Sequence, residues 1–132
     1  MRLLNALVVD EIRDTDAGTV DLVGLREDLF FDALPVLLER LTLFMEWEIA
    51  PDDRGRRQSF LLRLSDTSQK VLKEVPISFT IPEDYARPVA PLDPTLFEVP
   101  FERWGWHYLD VFTPEEHVRR LYLHVLPREN DP

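Results

Sequence analysis

Cysteine is absent from this chain, and glycine is rare. Without cysteine the protein can form no disulfide, no thiol nucleophile and no cysteine-based zinc or iron–sulfur site. The four glycines occur singly, so no glycine-rich loop is present to hold a phosphate group. The sequence also lacks the Gly-x-Ser-x-Gly motif that positions a catalytic serine in one large class of hydrolases. We therefore predict no catalytic residue, no metal site and no cofactor.

Long apolar segments are absent too. No run of about 18 apolar residues occurs, so the sequence contains no candidate transmembrane helix. The apolar start of the chain is interrupted at Asn5 and ends at Asp10, unlike the apolar segment of a secretory signal peptide. These features predict a cytoplasmic protein that has no membrane partner and begins directly with a β-strand.

Positive charge is scarce, since 15 basic residues face 25 acidic ones, for a formal net charge of −10. Neutralisation of phosphates supplies most of the affinity of proteins for nucleic acids, so this balance argues against a nucleic-acid partner. Thirteen of the basic residues are arginine, while Asn and Gln number only two each. That composition fits a heat-adapted source, although GC-rich coding would also favour arginine.

The length and composition indicate one folded domain. A chain of 132 residues, 45% of them hydrophobic, is long enough to bury about two-thirds of its unfolded surface. We expect this domain to span residues 1–128, followed by a frayed tail at residues 129–132.

Alternation of apolar and polar residues predicts several half-buried strands. The clearest is residues 41–49, in which Phe44 is the one apolar residue on the polar side. Residues 59–65 follow the same pattern after a turn. The next run, residues 71–81, contains Pro76, which places at least part of it at a sheet edge or a bulge.

The first third of the chain is less regular. Residues 3–9 read as a first strand that is buried on both faces, and residues 19–25 read as the return strand after a turn at Gly18. Residues 27–38 are ambiguous. Their apolar residues have helical spacing, but Pro35 disfavours a helix, so a short helix and a strand with a loop both stay open.

A proline-rich segment, residues 82–100, holds five of the eleven prolines and no glycine. It reads as an ordered, extended loop that carries the chain from one sheet to another. Together these segments predict an all-β fold, an antiparallel sandwich of about seven or eight strands.

The end of the chain reads as a β-hairpin, with strands at residues 106–112 and 118–126 and a loop at 113–117. Phe112 opposite Val118 sets a register in which aromatic residues and opposite charges meet across the ladder. The pairs are Leu109–Leu121, Val111–Arg119 and His107–Leu123 on one face, and Tyr108–Tyr122, Asp110–Arg120 and Trp106–His124 on the other. Each favourable pair contributes about 0.2–1 kcal/mol.

The second of these faces is unusually aromatic for a surface. Its candidate interface residues are Trp106, Tyr108, Phe112, Tyr122 and His124. Such side chains combine apolar area with a polar tip, which suits an interface. Two explanations stay open: either residues 82–100 lie over these rings, or a partner or second subunit binds them.

Three other groups imitate binding sites but are explained more simply. Asp14, Asp16, Gly18 and Asp21 resemble the start of a calcium loop, yet Leu25 stands where its last carboxylate belongs, so a hairpin turn is favoured. The predicted register separates the three histidines, which argues against a metal triad. The basic cluster at residues 54–57 adjoins two aspartates and reads as a solvated tip.

Several short motifs resemble those of a family of small, uncharacterised bacterial proteins. They are Ala17-Gly18, Leu22-Val23-Gly24, Pro35, the strand to Trp47, Gly55, Phe60-Leu61-Leu62-Arg63-Leu64 and Gly105-Trp106-His107-Tyr108. The resemblance covers most of residues 3–126. It implies an immunoglobulin-like β-sandwich and brings no catalytic or binding residues. The apolar segment at residues 27–38 departs from the family pattern, which has a short connection there.

These features favour a non-enzymatic protein-binding or assembly module. We expect a homodimer or partner contact through the aromatic face of the hairpin, or through the edge strand beside it. One alternative is a carbohydrate or small-molecule binder that stacks a ring on Trp104 or Trp106. A less favoured alternative is a hydrolase whose two carboxylates meet only in the folded protein.

Overall fold

A computed structural model describes residues 1–17 and 19–129 of the chain. In these residues ten strands form two five-stranded sheets, and the one helical element is a short 3-10 turn at Pro51–Asp53. The first sheet contains β1 (Arg2–Asp14), β2 (Val20–Leu25), β4 (Val36–Glu48), β7 (Val89–Leu92) and β8 (Thr95–Phe101). The second contains β3 (Asp28–Phe31), β5 (Arg57–Asp66), β6 (Val71–Thr80), β9 (Gly105–Phe112) and β10 (His117–Pro127).

Short connections join only some of the neighbouring strands, namely β1 with β2, β5 with β6, and β9 with β10. In the first sheet it is β2-β1-β4, and both β7 and β8 pair with the remaining edge of β4. In the second sheet it is β3-β10-β9-β5-β6. The predicted all-β fold with two sheets is therefore confirmed at this level.

The core lies between the sheets and is built from the alternating apolar residues. Leu43, Met45 and Trp47 of β4 are fully buried, as are Leu62 and Leu64 of β5. Removal of this apolar area from water is the main stabilising contribution to such a fold. The two half-buried strands predicted at residues 41–49 and 59–65 are thus confirmed. Pro76 lies in β6, an edge strand, as its missing N–H requires.

The prediction that the first strand is buried on both faces is only partly correct. β1 buries Leu3, Ala6 and Val8 in the core, whereas Leu7 on the opposite side is exposed. Val9, on the same side as Leu7, is also buried, but it lies outside the core cluster. The return strand is confirmed as β2, which pairs with β1. Gly18, the predicted turn residue, lies outside the described residues.

Residues 27–38 contain no helix. The segment forms β3, a turn with a cis peptide bond between Leu34 and Pro35, and the start of β4. Since β3 runs parallel to β10, the predicted purely antiparallel sandwich needs correction. The helical spacing of the apolar residues gave the wrong indication, because these residues do not share one buried face. Leu29 of β3 packs in the core, while Phe30 points outward and is exposed.

The predicted loop at residues 82–100 is also only partly correct. The chain does cross there from one sheet to the other, but β7 and β8 then lie end to end along β4, which raises the strand count to ten. Prolines are tolerated in both strands because, in the part of the chain that the structure describes, one edge of each has no neighbour in the sheet. Tyr85 anchors the crossing, since its hydroxyl donates to the carbonyl of Val89 at 2.7 Å. Of the predicted tail, residues 130–132 lie outside the described residues.

Candidate interaction site on the last hairpin

The hairpin of β9 and β10 has the predicted register over most of its length. Tyr108 lies opposite Tyr122, Asp110 opposite Arg120 and Trp106 opposite His124. At the loop end, however, Phe112 pairs with His117 and the register shifts before Arg119, so the predicted Phe112–Val118 pair is wrong. The irregularity leaves Val118 packed against the core and places His117 beside Asp110.

One side of this hairpin is core and the other is surface. His107, Leu109 and Val111 are completely buried between the sheets. The opposite side is the hairpin face, which we define as Trp106, Tyr108, Phe112, Tyr122 and His124. Trp106 is 44% exposed and Tyr122 is 55% exposed.

Residues 82–100 do not cover the hairpin face. Their two strands belong to the other sheet, where both pair with β4. Of the two explanations that the sequence left open, coverage by this segment is therefore inconsistent with the structure. Large aromatic side chains that stay accessible on a surface are more typical of contact sites than of ordinary strands.

Four rings of the hairpin face, all except Phe112, contact one another in a continuous row. The Trp106 ring stacks on the His124 imidazole, with centroids 4.3 Å apart and an interplanar angle of 11°. Tyr122 meets Trp106 edge-on at 6.5 Å and Tyr108 edge-on at 5.7 Å. Edge-to-face and stacked arrangements are the favourable geometries for aromatic pairs. The row is therefore held in place before any partner arrives.

Arginines lie over two of these rings. The guanidinium of Arg120 is 4.2 Å from the Tyr108 ring centroid, and that of Arg63 is 4.7 Å from the Phe112 ring centroid. Such cation–π contacts are attractive, by about 0.5–1 kcal/mol at exposed sites. The sequence predicted the position of Arg120 from strand pairing, but not that of Arg63, because the pairing of β5 with β9 was not predicted.

A buried carboxylate holds Arg120 in position. Asp110 accepts hydrogen bonds from the Arg120 guanidinium at 2.8 and 3.2 Å, and His117 Nε2 lies 2.8 Å from the same carboxylate. The hydrogen bond to Asp110 raises the pKa of Arg120 above its ordinary value, so this cation stays charged at any physiological pH.

The three histidines lie apart, as the register predicted. His107 is buried on the core side, with Nδ1 3.0 Å from the Gly105 carbonyl, whereas His124 belongs to the exposed face. Among residues 1–17 and 19–129, no three His, Asp or Glu side chains are grouped closely enough to hold a metal ion. In the Asp-rich turn, Asp14 ends β1 opposite Val20.

Carboxylates with altered pKa values give no indication of acid catalysis. A hydrogen bond from Arg13 lowers the pKa of the exposed Glu11, and hydrogen bonds led by the Ser68 hydroxyl lower that of Asp66. A general acid of a glycosidase needs a raised pKa instead. Glu46 and Glu48 both lie on β4. Glu46 accepts a hydrogen bond from Asn5, and Glu48 accepts one from Arg2.

Trp104, the other candidate for ring stacking, is exposed beside the start of β9.

In the described part of the chain, no helix has the length and apolar character needed to cross a bilayer.

Comparison with known proteins gives a family but no activity. No curated protein matches this chain. Among solved structures, the β-glucosidase from Listeria innocua is similar over 92% of this chain, with 12% identity and a TM-score of 0.48. The same values hold for its complexes with isofagomine and with glucose. This chain spans only 16% of that enzyme, and a similarity this weak supports no inference. A family model does match residues 4–126, and the chain belongs to that family of unknown function, DUF6941.

Proposed function

We propose that this protein is a non-enzymatic interaction module that binds a protein partner through the hairpin face. The observation that carries the proposal is the row of rings from the exposed Trp106 and Tyr122 to the half-buried Tyr108, fixed by mutual contacts. Interfaces are enriched in Tyr, Trp and Arg, the residue types that this surface combines. A fixed row loses little conformational entropy on binding, which favours affinity.

The arginines of the same surface support a protein partner. Arg63 and Arg120 lie over rings of this sheet, and each already pairs with a carboxylate, Glu74 or Asp110. Their guanidinium planes therefore add flat contact area beside the rings rather than uncompensated charge. A partner that presents apolar and aromatic groups would complement the hairpin face.

A carbohydrate or small-molecule ligand is the second candidate, because Trp104 and Trp106 are both close to half exposed. Titration of the protein with a panel of sugars would quench tryptophan fluorescence if a sugar ring stacked on either side chain. A response that Trp106→Ala abolishes would favour this candidate over a protein partner.

The test of the proposed function uses the oligomeric state and crosslinking. Light scattering compares the wild type with a folded Tyr108→Asp, Tyr122→Asp double variant, and loss of a dimer in the variant would identify a second copy as the partner. Other partners are then detected by crosslinking in cells from a photoreactive residue that replaces Tyr122. The control carries the same residue in place of Phe97, which is also exposed. A monomer with no more adducts at 122 than at 97 would overturn the proposal.

Several finer expectations belong with this proposal. The immunoglobulin-like topology, the bacterial source, the cytoplasmic location and the division into residues 1–128 and a tail stay predictions. So do the absence of enzymatic activity and the absence of nucleic-acid and membrane partners.

A further inference from the structure

Two strand edges are open on the same side of the sandwich. β3 pairs with β10 only from His124 to Pro127, so residues 119–123 of β10 have no neighbour on that edge among the described residues. β2 pairs with β1 only from Val9 to Asp14, so residues 3–7 of β1 also have no neighbour on that edge in the described part of the chain. An open edge presents unpaired N–H and C=O groups to which another strand can bond.

The backbone groups that β10 presents can be identified from its pairing with β3. The N–H of His124 points toward β3, because it donates to the Glu27 carbonyl at 2.7 Å. Successive residues of a strand direct their backbone groups to opposite edges. The N–H and C=O groups of Tyr122 and Arg120 therefore point to the same edge as those of His124, beyond the end of β3.

The corresponding groups of β1 face the same space. The carbonyl of Val8 points to the edge shared with β2, where it accepts from the N–H of Arg26 at 2.8 Å. By the same alternation, the backbone groups of Ala6 point to this edge beyond the end of β2. A cleft of about 420 Å³ separates the two edges. Its apolar lining includes Ala6, Leu7, Val8, Leu121, Tyr122 and Trp106.

Proline occurs in the edge strands β6, β7 and β8 but not in these two segments. Pro76 lies in edge strand β6, Pro91 in β7 and Pro100 in β8. A proline on an edge removes a donor and discourages pairing with another chain. Residues 2–14 and 117–123 contain no proline. The open side between β1 and β10 is therefore fit to accept a strand.

The open segments carry only positive charge. Residues 117–123 include Arg119 and Arg120 but no acid, and residues 2–8 include Arg2 but no acid, although the chain has 25 acidic residues. Arg2 pairs with Glu48, and Arg120 pairs with Asp110.

Arg119 differs from these two arginines. It lies opposite the buried Val111, on the side of the strand that faces the other sheet, and forms no ion pair within the described residues. A carboxylate from an added strand would supply this partner.

The neighbouring strand β3 shows how a segment with an acidic start fits this edge. Asp28 lies opposite His124, with its carboxylate 3.9 Å from the imidazole Nδ1. The next residue, Leu29, is buried in the core, and Phe30 points outward. The open part of the edge is five residues long, and it begins with Arg119 and Arg120 and continues with Leu121, Tyr122 and Leu123.

We propose that the open edges of β10 and β1 bind an extended segment of a partner protein by strand addition. The segment is about five residues long, carries a carboxylate beside Arg119, and directs alternate apolar side chains into the cleft beside Leu121. This inference rests on the proposed function and specifies the chemistry of the partner.

The test uses random nine-residue peptides displayed on phage and selected on the wild-type protein. Peptides that are enriched are synthesised, and their affinity for each variant is measured by fluorescence anisotropy. Tyr122→Pro removes one outward N–H, and Tyr122→Ala controls for loss of the ring. Ser78→Pro is the matched edge control, because Ser78 lies two residues from Pro76 in β6 and directs its N–H outward too. Arg119→Glu tests the ion pair without a change of backbone.

Strand addition predicts enriched peptides with acidic residues followed by alternating apolar ones. Arg119→Glu should weaken their binding at least about tenfold, whereas Ser78→Pro should change it less than about threefold. Because the Tyr122 ring itself belongs to the hairpin face, Tyr122→Pro is compared with Tyr122→Ala and should bind at least about tenfold more weakly than that variant. If Tyr122→Pro fails to fold, Arg119→Glu decides alone. No enrichment, or peptides that bind these variants as well as the wild type, would overturn the inference. Peptides lost only on Tyr108→Asp would overturn strand addition while supporting the hairpin face as a binding site.

Discussion

Asp110 and Arg120 form a doubly hydrogen-bonded ion pair across β9 and β10, at 2.8 and 3.2 Å. Only 2% of Asp110 is exposed, although it lies on the outer side of the sheet. Arg120 and His117 cover its carboxylate, and Arg120 in turn contacts the Tyr108 ring. The hairpin face thus depends on a carboxylate that is buried by its own hydrogen-bonding partners.

Asp110→Asn should destabilise the fold by about 1–3 kcal/mol, because the charged acceptor of two hydrogen bonds is lost from a buried position. Urea unfolding monitored by tryptophan fluorescence measures this change. Glu74→Gln is the matched control, since Glu74 pairs with Arg63 on the exposed part of the same sheet. That variant should lose less than about 1 kcal/mol. Equal losses in the two variants would show that burial does not strengthen the Asp110 contacts.

His107 should make the stability depend on pH in the weakly acidic range. Burial lowers its pKa below the ordinary value of 6.5, although the Gly105 carbonyl and Asp66 act in the opposite direction. The unfolded chain therefore binds a proton at higher pH than the folded protein does. This stabilising contribution is complete above about pH 6.5 and decreases as the pH falls, by at most about 1.4 kcal/mol per pH unit.

The measurement is the free energy of unfolding at several pH values between 5 and 8, roughly the range in which histidine titrates. His107→Phe, if folded, should lose much of the dependence near pH 6, whereas His124→Gln on the exposed face should retain it. A wild-type profile that is flat through this range would contradict the assigned role of His107.

The sequence predicted the strands and pairings that depend on local patterns, but not those that join distant segments. The period-two segments around Trp47 and Leu62, and the pairing of Tyr108 with Tyr122, follow from residues that are close in sequence or joined by a short loop. The parallel pairing of Leu29 with Val125 joins residues nearly a hundred positions apart. No local signal specifies such a contact, so β3 looked like a possible helix.

The candidate site shows the same division. The hairpin register placed five aromatic and imidazole side chains on one face, but it could not decide whether that face was covered. Coverage depended on where residues 82–100 run, and the pairing of Leu96 with Leu41 takes them to the other sheet. The sequence could not predict the open edges either. They exist only because β2 pairs with the second half of β1 and β3 pairs with the last residues of β10, which leaves the preceding residues of both strands without a neighbour among the described residues.

Side chains of the hairpin face should contribute little to stability. Tyr122→Ala removes a ring that is mostly exposed, and we expect a loss of at most about 1 kcal/mol from its aromatic contacts. Leu123→Ala, one residue away and fully buried, should lose about 2–5 kcal/mol because it leaves a cavity. Thermal and urea unfolding of the two variants give the comparison. A large loss for Tyr122→Ala would indicate that the face is structural, which would weaken the proposed function.

Proline substitutions in β10 should differ sharply between neighbouring positions. Leu121 directs its N–H toward β9, opposite Leu109, so Leu121→Pro removes a ladder hydrogen bond from the interior of the sheet and should unfold or severely destabilise the protein. The N–H of Tyr122 points to the open edge, and Tyr122→Pro should cost only about 1 kcal/mol more than Tyr122→Ala. Circular dichroism and urea unfolding of the three variants test the direction of these groups without any ligand. If Tyr122→Pro proves as damaging as Leu121→Pro, the edge is already paired or the backbone directions are reversed, and the basis for strand addition is removed.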